Sequence, residues 1–137
     1  MNRKIKFRGK RIDNGEWVYG YLAEKYFYAD KKYVILTEYA DARNFIEYEV
    51  IPETICQFTG IFDYTDYEVY EDDIIQHFDG RIGKVVWNKA YGRFDIAIKN
   101  KSDTINSFRV SGLGRYDVIG NVHDNPEYVK EYYYIET

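Results

Sequence analysis

Side chains that could bind a metal or transfer protons are concentrated in two stretches of this chain. These side chains are Glu71, Asp72, Asp73, His77, His123 and Asp124. Carboxylates and imidazoles are common ligands of divalent cations. Neighbouring residues of a strand point to opposite faces, so Asp72 cannot join Glu71 and Asp73 without a bend. We therefore interpret the acidic run as a solvated turn that leads into a strand, and we predict no metal site.

A nucleophilic site would have to use Cys56, the only cysteine. Its thiolate would need His77 or His123 nearby, whereas a lone thiol in an apolar stretch usually behaves as a small buried hydrophobe. The Gly112–Gly114 segment lacks the third glycine and the following helix of a phosphate-binding loop, and no nucleophile-elbow motif is present. We predict a protein that is not an enzyme, with no catalytic residue and no cofactor.

Charge is distributed in blocks that alternate in sign, although the net charge is only −4. Residues 1–11 carry six basic and no acidic side chains, and residues 38–73 carry eleven acidic side chains against Arg43 alone. A basic block followed by an aromatic strand could hold a single-stranded nucleic acid, with cations on phosphates and rings against bases. The residues of this alternative function are Lys4, Lys6, Arg8, Trp17, Tyr19 and Tyr21. The other interpretation is that opposite blocks lie side by side and screen each other.

The chain has more aromatic residues than one small core can bury, with sixteen Tyr and eight Phe in 137 residues. Tyrosine is enriched at protein interfaces. Surplus aromatics include Tyr26, Tyr28, Tyr64, Tyr67 and the run Tyr132, Tyr133 and Tyr134. We therefore predict a protein-interaction module that self-associates through the Tyr132–Tyr134 run, with a host or phage protein as a further partner.

Strand signals dominate the chain, and leucine occurs only three times. The Asn14-Gly15 turn predicts a hairpin that ends in a strand with Trp17, Tyr19 and Tyr21 on one face. Residues 33–37 predict a strand buried on both sides, and residues 46–50 alternate as a strand with one wet face. Pro52 predicts a brief helix.

A second hairpin is predicted around Asp79-Gly80, and residues 94–98 add a third strand to make a meander. Short strands are expected at 108–110 and 117–122, and Asn125-Pro126 predicts a helix over 127–134. We expect one mainly β domain, 1–137, without a membrane segment and located in the host cytoplasm.

Four ordered segments resemble the YopX family of phage and prophage proteins. They are the hairpin at 5–20, the segment 57–75, the strand 83–87 and the motif 118–126. The resemblance implies an antiparallel barrel-like or bifurcated-sheet fold with short helices, encoded by a phage or prophage, and it transfers no catalytic residue. The family usually has Gly where this chain has Asp72, and a Gly-containing turn where it has residues 64–67.

Overall fold

The computed structural model describes residues 2–38, 45–99 and 104–128. The described strands are β1 (Phe7–Lys10), β2 (Trp17–Phe27), β3 (Asp30–Glu38), β4 (Phe45–Glu49), β5 (Cys56–Phe62), β6 (Glu68–Tyr70), β7 (Asp73–His77), β8 (Ile82–Asn88), β9 (Arg93–Lys99), β10 (Ile105–Arg109) and β11 (Tyr116–Asn121). A 3-10 helix covers Pro52–Thr54, and residues 126–128 are helical.

The strands form two antiparallel sheets, with the orders β4-β3-β2-β1-β5-β6 and β10-β9-β8-β7-β11. This confirms the mainly β fold with short helices. The backbone also divides into two compact units, Met1–Phe58 and Thr59–Thr137. The prediction that residues 1–137 form a single domain stays a prediction.

The first unit begins with the predicted hairpin. Gly15 adopts a φ of 73° in the turn, and the carboxamide of Asn14 accepts a hydrogen bond from the Glu16 backbone N–H at 2.9 Å. In β3, Val34 and Ile35 point to opposite faces and both are buried, so the strand is covered on both sides at its centre. The prediction for residues 33–37 is confirmed.

The second unit contains the predicted meander, in which β7, β8 and β9 pair in order. Its core consists of Val69, Ile75, Val85, Ile96, Ile98, Val110, Leu113 and Tyr116. Gly83 is required at this core because a Cβ there would lie 2.8 Å from side-chain carbons of both Ile96 and Ile98. The Tyr116 hydroxyl donates a hydrogen bond to the Val110 carbonyl at 2.7 Å, which satisfies the polar end of a buried ring.

Two parts of the fold differ from the predicted strand pattern or extend beyond it. Strands β5 and β6 were not assigned from the pattern, because Gly60, with a φ of 85°, interrupts the alternation that β5 would otherwise show. A helix is predicted over 127–134, and residues 126–128 are helical. Residues 129–134 lie outside the described residues. Among the described residues, no helix is long and apolar enough to cross a membrane.

Candidate functional site

Glu71 and Asp72 form the turn between β6 and β7, as expected, whereas Asp73 is the first residue of β7 and is only 1% exposed, so the prediction of a solvated turn is wrong for Asp73. The Asp72 carboxylate lies 3.0 Å from Nε2 of His123, and its other oxygen lies 3.7 Å from Nζ of Lys84. A lysine ammonium beside this carboxylate repels a metal cation. The contact between Asp72 and His123 links the β6–β7 turn to the turn that follows β11.

Asp73, Asp124 and His77 contact other groups of the second unit. The buried carboxylate of Asp73 accepts a hydrogen bond from the Tyr70 backbone N–H at 2.7 Å, and the Asp124 carboxylate accepts one from Asn121 at 3.0 Å. His77 occupies the opposite end of β7 from Asp73.

The His77 imidazole joins two loops of the second unit. Its Nε2 lies 2.9 Å from the Leu113 carbonyl oxygen, and its Nδ1 lies 2.9 Å from the Asp79 carboxylate. The Arg81 backbone N–H, with the side chains of His77 and Arg81, lowers the pKa of Asp79 to about 2. These contacts hold the His77 imidazole between the β7–β8 turn and the loop that contains Leu113.

Cys56 is fully buried in the first unit. Its Sγ lies 3.2 Å from the backbone carbonyl oxygen of Thr54, to which the thiol donates. Burial removes this thiol from solvent, which a reactive cysteine needs to reach. The burial expected of Cys56 is therefore observed.

Polar residues of segments 57–75 and 118–126 build tight turns. One oxygen of the buried Asp63 carboxylate accepts hydrogen bonds from the backbone N–H groups of Thr65 and Tyr67, both at 2.9 Å, and from the Thr65 hydroxyl at 3.0 Å. Its other oxygen accepts one from the Val118 N–H at 2.9 Å, so a single carboxylate ties this turn to β11. The Asn121 side chain similarly organises the turn that follows β11.

This chain has aspartate at two places where the family usually has glycine or a Gly-containing turn. The backbone at both aspartates is left-handed. Asp72 has a φ of 69°, and Asp66, within the 64–67 turn, has a φ of 66°. Aspartate is among the few residues other than glycine that adopt this conformation with modest strain. The turns therefore keep positive φ at these aspartates without glycine.

The first hairpin places a basic row against an aromatic row. The register sets Arg8 opposite Tyr19 and Lys10 opposite Trp17, so these side chains share one face. The Arg8 guanidinium lies 4.7 Å from the Trp17 ring centroid, and the Lys10 ammonium lies 5.4 Å from it. Such cation–π contacts engage Trp17 within the protein, and Arg8 is only 6% exposed. At this end of the row, the contacts of Arg8 and Lys10 with Trp17 stabilise the hairpin.

The other end of the same row is an open groove. We call it the N-terminal groove, and its volume is about 220 Å³. It is lined by Lys4, Ile5, Lys6, Tyr19, Gly20, Tyr21 and Leu36. The two tyrosines are 44% and 46% exposed, and the Lys6 ammonium lies 5.6 Å from the Tyr19 centroid. A Cβ at Gly20 would lie 2.1 Å from the Leu36 carbonyl oxygen, so only glycine permits this approach of β2 to β3.

The far end of the long β2–β3 hairpin presents three consecutive aromatic residues. We call Tyr26, Phe27 and Tyr28 the aromatic tip, and they are 69%, 66% and 94% exposed. Phe27 and Tyr28 pack edge to face with centroids 5.0 Å apart. Tyr28 adopts a φ of 57°, which is unusual for a bulky residue. Such an exposed aromatic cluster is typical of an interaction surface.

Glutamates pair with the three lysines that flank the aromatic tip. Lys25 lies 2.8 Å from Glu47, Lys31 lies 3.0 Å from Glu24 and Lys32 lies 3.3 Å from Glu49. Hydrogen bonds with Tyr33 and Glu24 raise the pKa of Lys31 above its usual value. The three lysines along the sides of the hairpin are thus paired, and Asp30, which lies opposite Phe27, adds a carboxylate beside the aromatic tip.

The structure brings together four of the six residues predicted for nucleic-acid contact, Lys4, Lys6, Tyr19 and Tyr21, in the N-terminal groove. The predicted interaction run, Tyr132, Tyr133 and Tyr134, lies outside the described residues. Sequence reasoning named Tyr26 and Tyr28 but missed Phe27, although the unbroken aromatic triplet was a visible signal. It also missed Leu36, which reaches the groove only through the pairing of β3 with Tyr21.

These features define a mainly β protein of two antiparallel sheets whose signature residues build turns. A family model described as YopX protein matches residues 6–130, so the chain belongs to the YopX family. No curated protein matches the chain.

Proposed function

We propose that this protein is a non-enzymatic accessory protein of a phage or prophage that acts by protein contact, and that it self-associates through the aromatic tip. The observation that carries the proposal is the exposure of three consecutive aromatic side chains at one hairpin end. Isolated exposed hydrophobic residues are ordinary, whereas a contiguous exposed group marks a contact site.

The charge distribution favours a second copy of the chain as the first partner. Because Lys25, Lys31 and Lys32 each pair with a glutamate, these lysines do not oppose the approach of two tips, and the remaining like charge beside the tip is that of Asp30. A surface whose lysines are paired also offers little attraction to a polyanion. The same surface could receive an apolar site on a host or phage protein, which is the second partner class that we propose.

The size of the aromatic tip sets the expected strength of self-association. Aromatic side chains contribute about 200 Å² each, so the exposed parts of the three rings amount to about 450 Å² per protomer. Stable interfaces bury about 800 Å² per partner. The tip alone therefore supports a weak, concentration-dependent dimer with a Kd in the micromolar range or above.

Sedimentation velocity across a wide range of protein concentrations tests this proposal. We expect the weight-average mass to rise with concentration for the wild type and to stay at the monomer value for the triple variant Tyr26→Ser, Phe27→Ser and Tyr28→Asn. Asparagine is chosen at the last position because it tolerates positive φ. Circular dichroism of each protein checks that the fold is retained.

The matched control removes three aromatic side chains that are equally exposed elsewhere. Tyr67, Phe78 and Tyr91 are 69%, 74% and 72% exposed in the second unit, and each is replaced by Ser. Self-association should persist in this control. A wild type that stays monomeric throughout, or equal loss of association in the tip and control variants, would refute self-association through the tip.

Docking to another protein has its own test. A tagged wild-type chain and the tip variant are used as baits in nuclease-treated lysate of phage-infected cells, and captured proteins are identified by mass spectrometry. A protein captured by the wild type and lost with the tip variant supports the second partner class. Identical capture by both baits contradicts it.

A further inference from the structure

The N-terminal groove combines two kinds of chemistry in one small space. Lys4 and Lys6 supply ammonium groups, and Tyr19 and Tyr21 supply half-exposed ring faces and hydroxyls. The groove, at about 220 Å³, is smaller than the roughly 300–1,000 Å³ of ordinary ligand pockets, so it holds only part of a larger ligand. A ligand that fits both chemistries has a planar aromatic part and a neighbouring negative charge.

The described residues that line the groove include two lysines and no carboxylate. Glu47, which lies opposite Leu36 on β4, is paired with Lys25 at 2.8 Å. The lysine ammonium groups that line the groove complement a phosphate.

We propose that the N-terminal groove binds single-stranded nucleic acid, with one base against Tyr19 or Tyr21 and the adjoining phosphates at Lys4 and Lys6. A single strand fits better than a duplex because the faces of paired bases are hidden by their neighbours, while an unpaired base can stack on an aromatic ring. This function uses a surface separate from the aromatic tip and does not depend on self-association.

The proposed site uses only part of the row of residues that the sequence indicated. Arg8 and Lys10 lie over the Trp17 ring, and Arg8 is buried, so this end of the hairpin contributes to folding instead. The binding footprint is one or two nucleotides at the N-terminal groove. We accordingly expect modest affinity and a small number of phosphate contacts.

The first test is the salt dependence of binding to a fluorescently labelled oligothymidylate, followed by anisotropy. Each phosphate contact with a single strand contributes about −0.7 to the slope of log K against log salt, so two lysines give about −1.4. Affinity should then fall about sevenfold between roughly 50 and 200 mM salt. The variant Lys4→Gln with Lys6→Gln should bring this slope close to zero.

A charge-matched control separates a site from general attraction. Lys89 and Arg109 are exposed in the second unit, and replacing both with Gln changes the net charge by the same amount. The control should keep the wild-type slope and affinity. Absence of saturable binding, or an equal loss in both double variants, would overturn the proposal.

The second test asks whether the aromatic rings of Tyr19 and Tyr21 stack against a base. The variant Tyr19→Leu with Tyr21→Leu keeps apolar volume at the groove but removes the aromatic faces, and it should weaken oligothymidylate binding about tenfold. Binding of an abasic strand of the same length should not change. Equal effects on both strands would contradict base stacking. An oligoglutamate peptide that competes as strongly as the oligothymidylate would overturn the nucleic-acid assignment in favour of an acidic protein segment.

Discussion

Replacement of Asp72 by Gly and by Ala tests how the β6–β7 turn is held. Asp72 has a φ of 69°, and its carboxylate lies 3.0 Å from Nε2 of His123 and 3.7 Å from Nζ of Lys84. Both substitutions remove the carboxylate, but they differ in the backbone. Glycine adopts a left-handed conformation without strain, whereas alanine carries a Cβ that clashes there.

The expected magnitudes follow from these two effects. The Cβ of alanine costs about 1–2 kcal/mol at positive φ, and the smaller unfolded-state entropy of alanine returns about 0.4–1 kcal/mol. D72G should therefore be more stable than D72A by about 1 kcal/mol. The lost charge-assisted hydrogen bond to His123 costs about 2 kcal/mol in both variants, so both should be less stable than the wild type, with D72A the less stable of the two.

Urea unfolding followed by tryptophan fluorescence measures the three free energies. The control position is Lys89, which is exposed in the β8–β9 turn and is not among the described residues with positive φ. There the order should reverse, with K89A more stable than K89G. A D72A variant as stable as D72G or more stable would refute the assignment of a left-handed backbone at Asp72.

Two further predictions concern buried groups of the second unit. Asp63→Ala removes four hydrogen bonds, three of them from backbone N–H groups, and should lower the free energy of unfolding by about 3–5 kcal/mol. Asp63→Asn should cost less because one oxygen remains. Equal urea midpoints for the wild type and Asp63→Ala would contradict this role of the carboxylate. Burial, with the charges of Asp63 and Asp73, raises the pKa of Tyr116 to about 12. The fold therefore favours the neutral phenol, and its contribution to stability is complete below the unfolded pKa of about 10 and is lost as pH rises from about 10 to 12. At a pH of about 11.5 the wild type should have lost about 2 kcal/mol of its free energy of unfolding, and Tyr116→Phe should not show this loss. Urea unfolding at about pH 9 and at about pH 11.5 measures the difference for each protein. An identical alkaline loss in both proteins would contradict it.

Local signals in the sequence predicted much of the fold. Asn14-Gly15 and Asp79-Gly80 mark the two hairpins because their backbone requirements are local and few residues meet them. The length of β2 was underestimated because its hairpin turns at Tyr28, which has a φ of 57° without the glycine that usually marks such a turn. Strand β5 was missed for a related reason, since Gly60 reads as a break in the alternation.

The surfaces were only partly predictable. Alternation along β2 is enough to place Tyr19 and Tyr21 on one face. It does not reveal that Arg8 becomes buried over Trp17, because this depends on strand pairing and on the packing of the sheet face. Likewise, the charge pairing beside the aromatic tip comes from pairs such as Lys25 with Glu47, which are 22 positions apart and meet only through the β2-β3-β4 register.

Site-specific photocrosslinking at the aromatic tip tests the central claim most directly. A photoreactive benzophenone amino acid replaces Phe27, and isotopically light and heavy protein are mixed before irradiation so that links between two copies can be recognised by mass spectrometry. We predict light–heavy dimers whose links join position 27 of one protomer to residues of the β2–β3 hairpin of its partner. Irradiated protein that stays monomeric at the concentrations of the sedimentation experiment, or links spread over the surface, would contradict self-association through the tip.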